Sequence, residues 1–185
     1  MRFLLLLPLL ACLVGCNQEE SHGRSMAEAE EELASRVQRV DVSKPPPELP
    51  LPKNPPKKVD AQKVAAESAK ITALKVEDIK VGSGPMVEPG KYVSVHYVGV
   101  LPDGFLFDTS YKEADAQPFT FHYDPEHPAV IQGWMEGLKG MRVGGHRRLT
   151  IPAALAYGSQ PPGGTIPPDS ALIFDVILMF VGDTQ

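Results

Sequence analysis

Residue types that do covalent or metal chemistry are few in this chain and poorly spaced for it. The two cysteines, Cys12 and Cys16, lie at the extreme N-terminus. Neither a disulfide framework nor a cysteine-based metal site can be built in the remainder. His96, His122, His127 and His146 show no metal-ligand spacing with carboxylates, and solvent-facing strand positions are expected for them. What stands out is an aromatic residue at helical spacing. Trp134, the only tryptophan, lies in Val130–Met141, where Ile131, Trp134, Met135, Leu138 and Met141 fall on one helical face. Gly133, Gly137 and Gly140 each weaken such a helix by about 1 kcal/mol relative to alanine. It forms only when something holds it, and the indole is then either core or a binding surface.

The elements available to hold it are strands. Leu74, Val76, Ile79 and Val81 make a strand-like run interrupted by Glu77-Asp78 and closed by Gly82-Ser83-Gly84-Pro85. Val93, Val95 and Tyr97 alternate with Ser94, His96 and Val98, the pattern of a strand with one buried face. Leu101-Pro102-Asp103-Gly104 is a turn, with proline at its second position and glycine at its last. Phe105, Phe107 and Asp108 lead the chain back, and Phe119, Phe121 and Tyr123 alternate with Thr120 and His122. Beyond the helix, Arg147, Leu149 and Ile151 alternate with Arg148 and Thr150, and Leu172–Phe180 is the most apolar strand. Strands, one helix and strands again describe an antiparallel α+β domain rather than a βαβ repeat. The folded region is expected from Ile71 to Gln185.

The 185 residues suffice for one domain plus a tail, and 18 Lys and Arg against 23 Asp and Glu argue against non-specific nucleic-acid binding. Met1-Arg2 and the apolar run Phe3–Val14 have the form of a secretory signal and are too short to span a bilayer. Leu13-Val14-Gly15-Cys16 resembles the bacterial lipobox. That resemblance implies cleavage after residue 15, a diacylglycerol on Cys16, and membrane anchoring by two or more acyl chains; the alternative is an ordinary signal peptide with an incidental cysteine. Asn17 is not the aspartate that favours inner-membrane retention, so in a Gram-negative host the expected site is the outer membrane, facing the periplasm. Residues 16–70 read as a tether. Met26–Val40 is acidic and helix-prone, either a dimerisation helix or a solvated one, so the oligomeric state stays open. Lys44–Pro56 packs seven prolines into thirteen residues, a stiff extended spacer. Lys57–Lys70 is alanine-rich and could continue as a helix into the domain.

Taken in order, several segments converge. They are Val95-His96-Tyr97-Val98-Gly99, Asp103-Gly104 with Phe107-Asp108-Thr109-Ser110, Pro118-Phe119, Val130-Ile131-Gln132-Gly133-Trp134, Ile151-Pro152, Ala156-Tyr157-Gly158, Ile166-Pro167-Pro168 and Leu172-Ile173-Phe174-Asp175-Val176. The set closely resembles the FK506-binding-protein family of peptidyl-prolyl cis-trans isomerases, over about Leu74 to Phe180. The resemblance implies a curved, five- to six-stranded antiparallel sheet wrapped around one short helix, with the ligand pocket between them. It implies Trp134 as the pocket floor and Tyr97, Phe107, Phe119, Val130, Ile131 and Phe174 as its walls. It further implies the Ile131 N–H and the Tyr157 hydroxyl as donors to ligand carbonyls, Asp108 at the rim, and Ile166 closing the pocket from the flap Ser159–Pro168. Tyr97, Phe107, Asp108 and Tyr157 are the implied catalytic set. Two features depart from the family: Pro161-Pro162-Gly163-Gly164 stands where an aromatic or histidine is frequent, and His122–Ala129 is slightly longer than in the minimal domain.

Rotation about an Xaa-Pro bond meets a barrier of about 18–20 kcal/mol and takes roughly 10–100 s uncatalysed. The twisted amide has lost much of its charge separation, so an apolar pocket penalises the planar form more and lowers the barrier. No nucleophile, metal or cofactor is required. The implied partners are Xaa-Pro segments of unfolded or exported proteins, FK506- or rapamycin-type macrolides as inhibitors, and a membrane through Cys16. A non-catalytic binding module or holdase on the same fold, and a structural envelope lipoprotein, are the alternatives.

Overall fold

Leu172–Gly182 becomes β6 and is hydrogen-bonded on both sides, as its nearly continuous apolar run requires. The computed structural model describes residues 49–112 and 116–184. The expected signal peptide, Cys16, the Met26–Val40 stretch and the first prolines of the expected tether lie outside the described residues. Around β6 are β1 (Lys75–Lys80), β2 (Lys91–Val100), β3 (Leu106–Thr109), β4 (Phe119–Tyr123) and β5 (His146–Ile151). All pair antiparallel in one six-stranded sheet of order β1-β5-β6-β2-β3, with β4 also on β2. β2 divides one edge between two partners: Lys91–Val95 faces β4, and Val98–Val100 faces β3. The break falls at His96–Tyr97, and this opening beside Tyr97 becomes part of the pocket.

A short helix, α2 (Gln132–Gly137), crosses the inner face with Trp134 and Met135 buried. It is shorter than the periodicity of Val130–Met141 suggests, because Ile131 is its N-cap and Leu138 its C-cap. The glycines have a use beyond weakening the helix. A Cβ on Gly133 would collide with the Ile151 side chain, and one on Gly137 would come within 2.7 Å of Leu149. Two glycines one helical turn apart therefore seat the helix backbone directly on β5. Two distant side chains brace it. The Tyr123 hydroxyl donates to the Met135 carbonyl at 2.6 Å. Arg147 donates to the Gly137 and Lys139 carbonyls at 2.8 and 3.2 Å, satisfying acceptors at the helix end, while its other donors grip Asp78.

Three expectations change. β1 forms where its run suggests, but every residue in it is exposed, because it is an edge strand paired only with β5. β2 buries both faces rather than one: Val93 and Val95 point to the main core, and Ser94, His96 and Val98 are also buried. His96, at 2% exposure, is thus not solvent-facing; Tyr111 stacks on its ring at 4.8 Å and the Ser110 hydroxyl meets Nδ1 at 3.0 Å. Burial lowers its pKa. His122 and His127 are exposed as expected, and His146 is half-buried against Asp175.

The third change concerns where packing begins. Residues upstream of Ile71 are part of the folded unit. Leu49, at 4% exposure, sits on the outer sheet face against Val98 and Ile177. The chain then passes Gly104 at Pro56, packs Val59 against the main core, and is tied by the Asp60 N–H to the Asp103 carboxylate at 3.0 Å. Asp60 caps α1 (Ala61–Ser68) by accepting from the Lys63 N–H. Val64 of that helix is fully buried, and the Ser68 hydroxyl accepts from the Ala171 N–H at the start of β6. Val64→Ala removes two buried methyl groups and is expected to lose about 2 kcal/mol. The measurement is urea unfolding: a lower midpoint at constant slope is expected, whereas an unchanged midpoint would mean that these residues only tether.

Candidate active site

The broken edge of β2 sets the site. Tyr97 lies at the break, Phe107 and Asp108 come from β3, and Phe119 opens β4. Phe174 projects from β6, Trp134 from α2, and Tyr157 follows the short 3-10 turn Ala153–Leu155. With Val130 and Ile131 these residues enclose a pocket of about 420 Å³. Trp134 is its floor, meeting Tyr97 edge-on at 5.3 Å, Phe174 at 5.2 Å and Phe119 at 6.2 Å. Edge-to-face contacts at these separations are favourable ring geometries, so the shell fixes its own shape. Phe174 serves core and pocket together, being buried yet lining the cavity, while Phe119 is 41% exposed at the rim.

Ile166 is the one expected residue that does not line this pocket. At 9% exposure it packs into the main core, and its remaining surface faces a separate groove behind the flap. Pro128 and Ala129, from the longer His122–Ala129 segment, line the pocket instead. Phe121 lies outside the expected set, yet its ring supports Trp134 at 6.0 Å. The alternation of Phe119 and Phe121 marks a strand but does not show that both rings reach the indole.

The polar groups are arranged at the rim. Asp108 accepts from the Tyr97 hydroxyl at 2.6 Å, the Lys112 ammonium at 2.6 Å and the Thr109 N–H at 2.9 Å. Both of its oxygens are engaged, so it organises the rim rather than accepting a substrate proton. Burial would raise the Asp108 carboxyl, but the hydrogen bonds from Lys112 and Tyr97 and the Lys112 charge outweigh it and hold it below the usual carboxylate value. Burial, with the Asp108 hydrogen bond and charge, pushes the Tyr97 hydroxyl well above the ordinary phenol value. Burial and the Asp108 charge also raise Tyr157. Both phenols therefore stay protonated donors. Among the described residues the Tyr157 hydroxyl and the Ile131 N–H have no protein acceptor, which leaves two donors for a ligand. The Trp134 Nε1, by contrast, is buried with no hydrogen-bond partner among the described residues. Lys112 carried no sequence signal beyond its place four residues after Asp108.

The depressed Asp108 value fixes the sign of a pH dependence. Its contribution is present above the ordinary carboxylate value of about 3.9 and is lost as pH falls through the lower, folded value. Ligand affinity carried by the rim is thus expected to be flat from pH 8 to 5 and to fall only below about pH 4. Lys112→Ala should move the Asp108 midpoint upward, read by NMR titration of its carboxyl carbon. An unmoved midpoint would remove Lys112 from the account.

Comparison with known proteins agrees with this geometry. The model of the family described as FKBP-type peptidyl-prolyl cis-trans isomerase matches residues 84–179. The chain is 43% identical over 109 residues to the FK506-binding protein of Neisseria meningitidis serogroup A, covering 59% of this chain and 96% of that one. It is 48% identical over 108 residues to FK506-binding protein 4 of Dictyostelium discoideum, where the match covers 58% of this chain but only 28% of the relative. Among solved structures, FkpA from Escherichia coli superposes with a TM-score of 0.56 at 35% identity, over 66% of this chain and 61% of that one. AtFKBP13 does so at 0.52 and 38%, over 57% and 90%. With the family model covering more than half of its length and a bacterial relative matched almost end to end, the chain belongs to the FKBP-type peptidyl-prolyl cis-trans isomerases.

Proposed function

We propose that this protein is a prolyl isomerase that assists the folding of exported proteins and is held at a membrane by acyl chains on Cys16. The observation that carries the catalytic part is the aromatic pocket floored by Trp134, with the unpaired Ile131 N–H and Tyr157 hydroxyl beside it. A prolyl ring seated on the indole places its amide among apolar rings. Planar amide resonance, which separates charge, is disfavoured there relative to the twisted form, while the two donors hold the flanking carbonyls. Asp108 fixes the Tyr97 ring through its hydrogen bond. No proton needs to move.

The anchoring part rests on the lipobox-like Leu13-Val14-Gly15-Cys16 and on a spacer between it and the packed domain. In this reading the protein works in the cell envelope, on the periplasmic face of the outer membrane in a Gram-negative host. Its substrates are Xaa-Pro segments of unfolded or newly exported chains.

The decisive assay follows cis-trans exchange in a peptide with a bulky apolar residue before proline, using the whole chain with Cys16→Ser. Acceleration that an FK506-type macrolide suppresses is expected, and no acceleration would sink the enzymatic reading in favour of a holdase. Trp134→Ala is expected to lower kcat/KM at least tenfold, equivalent to about 1.4 kcal/mol of transition-state stabilisation. Metabolic labelling with radioactive palmitate tests the anchor: label on the wild type and none on Cys16→Ser is the expected pair.

A further inference from the structure

A second hollow, larger than the pocket, lies behind the flap. It encloses about 720 Å³ between Ser159–Pro168 and the chain leading into α1. Phe105, Val59 and Ile166 give it an apolar base, and Lys57 and Lys58 stand on the side of the incoming chain. Both lysines are exposed, and neither has an ion-pair partner among the described residues. Among the described residues no acidic residue lines the groove. The carboxylates nearest in sequence, Asp60, Asp103 and Asp169, are not in its lining; Asp60 accepts from the Lys63 N–H, and Asp103 accepts from the Asp60 and Phe105 N–H groups. In a chain of formal net charge −5, the lining of this groove carries two lysines and no carboxylate over an apolar base.

The linings of groove and pocket come within two residues of each other along the chain at two points. Phe105 lines the groove and Phe107 the pocket; Tyr157 lines the pocket and Ser159 the groove. Two residues of extended chain span about 7 Å. A bound peptide whose prolyl ring lies over Trp134 therefore reaches the groove within about two to four residues. No atom lies within 4 Å of where a Cβ on Gly163 or Gly164 would stand, so a peptide backbone has room against this stretch of the flap.

We propose that this groove is a subsite for acidic residues flanking the substrate proline, so that Xaa-Pro segments with Asp or Glu two to four residues away are preferred. The proposal rests on the isomerase reading for its substrate. The two lysines supply the charge, and the apolar base accepts the aliphatic parts of neighbouring side chains. Exposed charges interact weakly one at a time, so the preference is modest and sensitive to salt.

The test compares peptides sharing one Xaa-Pro core, with an Asp-Glu pair before the proline, after it, or replaced by Asn-Gln. Each is assayed with the Cys16→Ser chain and with the same chain carrying Lys57→Glu and Lys58→Glu. At low salt the acid-flanked peptide on one side is expected to show a kcat/KM about three- to tenfold above the neutral one, mainly through KM. That ratio should shrink at high salt and fall to one or below in the double variant. Equal values for acidic and neutral peptides in the parent chain, or a ratio that survives the double substitution, overturns the proposal. If no peptide is isomerised, the catalytic reading fails separately, and NMR then decides on the groove. Shifts of the Phe105 and Thr165 amides on adding the acid-flanked peptide, abolished in the double variant, support it; no shifts overturn it.

Discussion

The pocket depends on the contact between α2 and β5. A helix of six residues with no side-chain cap has no independent stability, since isolated helices shorter than about 12–15 residues are marginal even with favourable sequences. Gly133 and Gly137 let its backbone rest on Ile151 and Leu149. The close approach lets Trp134 and Met135 bury on the inner sheet face, and it brings the Gly137 carbonyl within reach of Arg147. Any side chain at either glycine would lift the floor away from its walls. Sequence features that look destabilising in isolation are thus the condition for the site to exist.

From that floor outward, polarity is graded. The rings around Trp134 are oriented by one another, and the charged groups are confined to the rim, where Asp108 is saturated by Tyr97, Lys112 and its own loop. The arrangement suits a reaction in which no bond is made or broken: it needs a shaped apolar space with a few fixed donors, and the molecule supplies little else there.

Much of this was legible in the sequence, and the parts that were not share a cause. Tyr97, Phe107, Asp108, Phe119, Trp134, Tyr157 and Phe174 sit in ordered motifs; alternation locates the strands of Tyr97 and Phe119 and helical spacing locates Trp134, whereas Tyr157 is reached through its motif alone. His96 departs from its expected place because alternation implies one wet face, whereas Tyr111 and Leu49 cover the outer side of β2. Leu49 and Val64 carry no local signal, since each stands among prolines, lysines or alanines, where no period can form. Its motif points Ile166 into the pocket, but which way a flap residue turns depends on what packs beneath it. Single-residue anchors and loop orientations are tertiary facts, and local patterns do not encode them.

The seat of Leu49 has a mechanical corollary. The incoming chain is moored at Leu49 against Val98 and Ile177, in a cluster separate from the main core to which the pocket residues Trp134 and Phe174 belong. A pull along the incoming segment would load the Leu49 contact and the Asp60–Asp103 hydrogen bond before it reached Trp134. The mooring thus separates a load applied at residue 49 from the floor of the pocket.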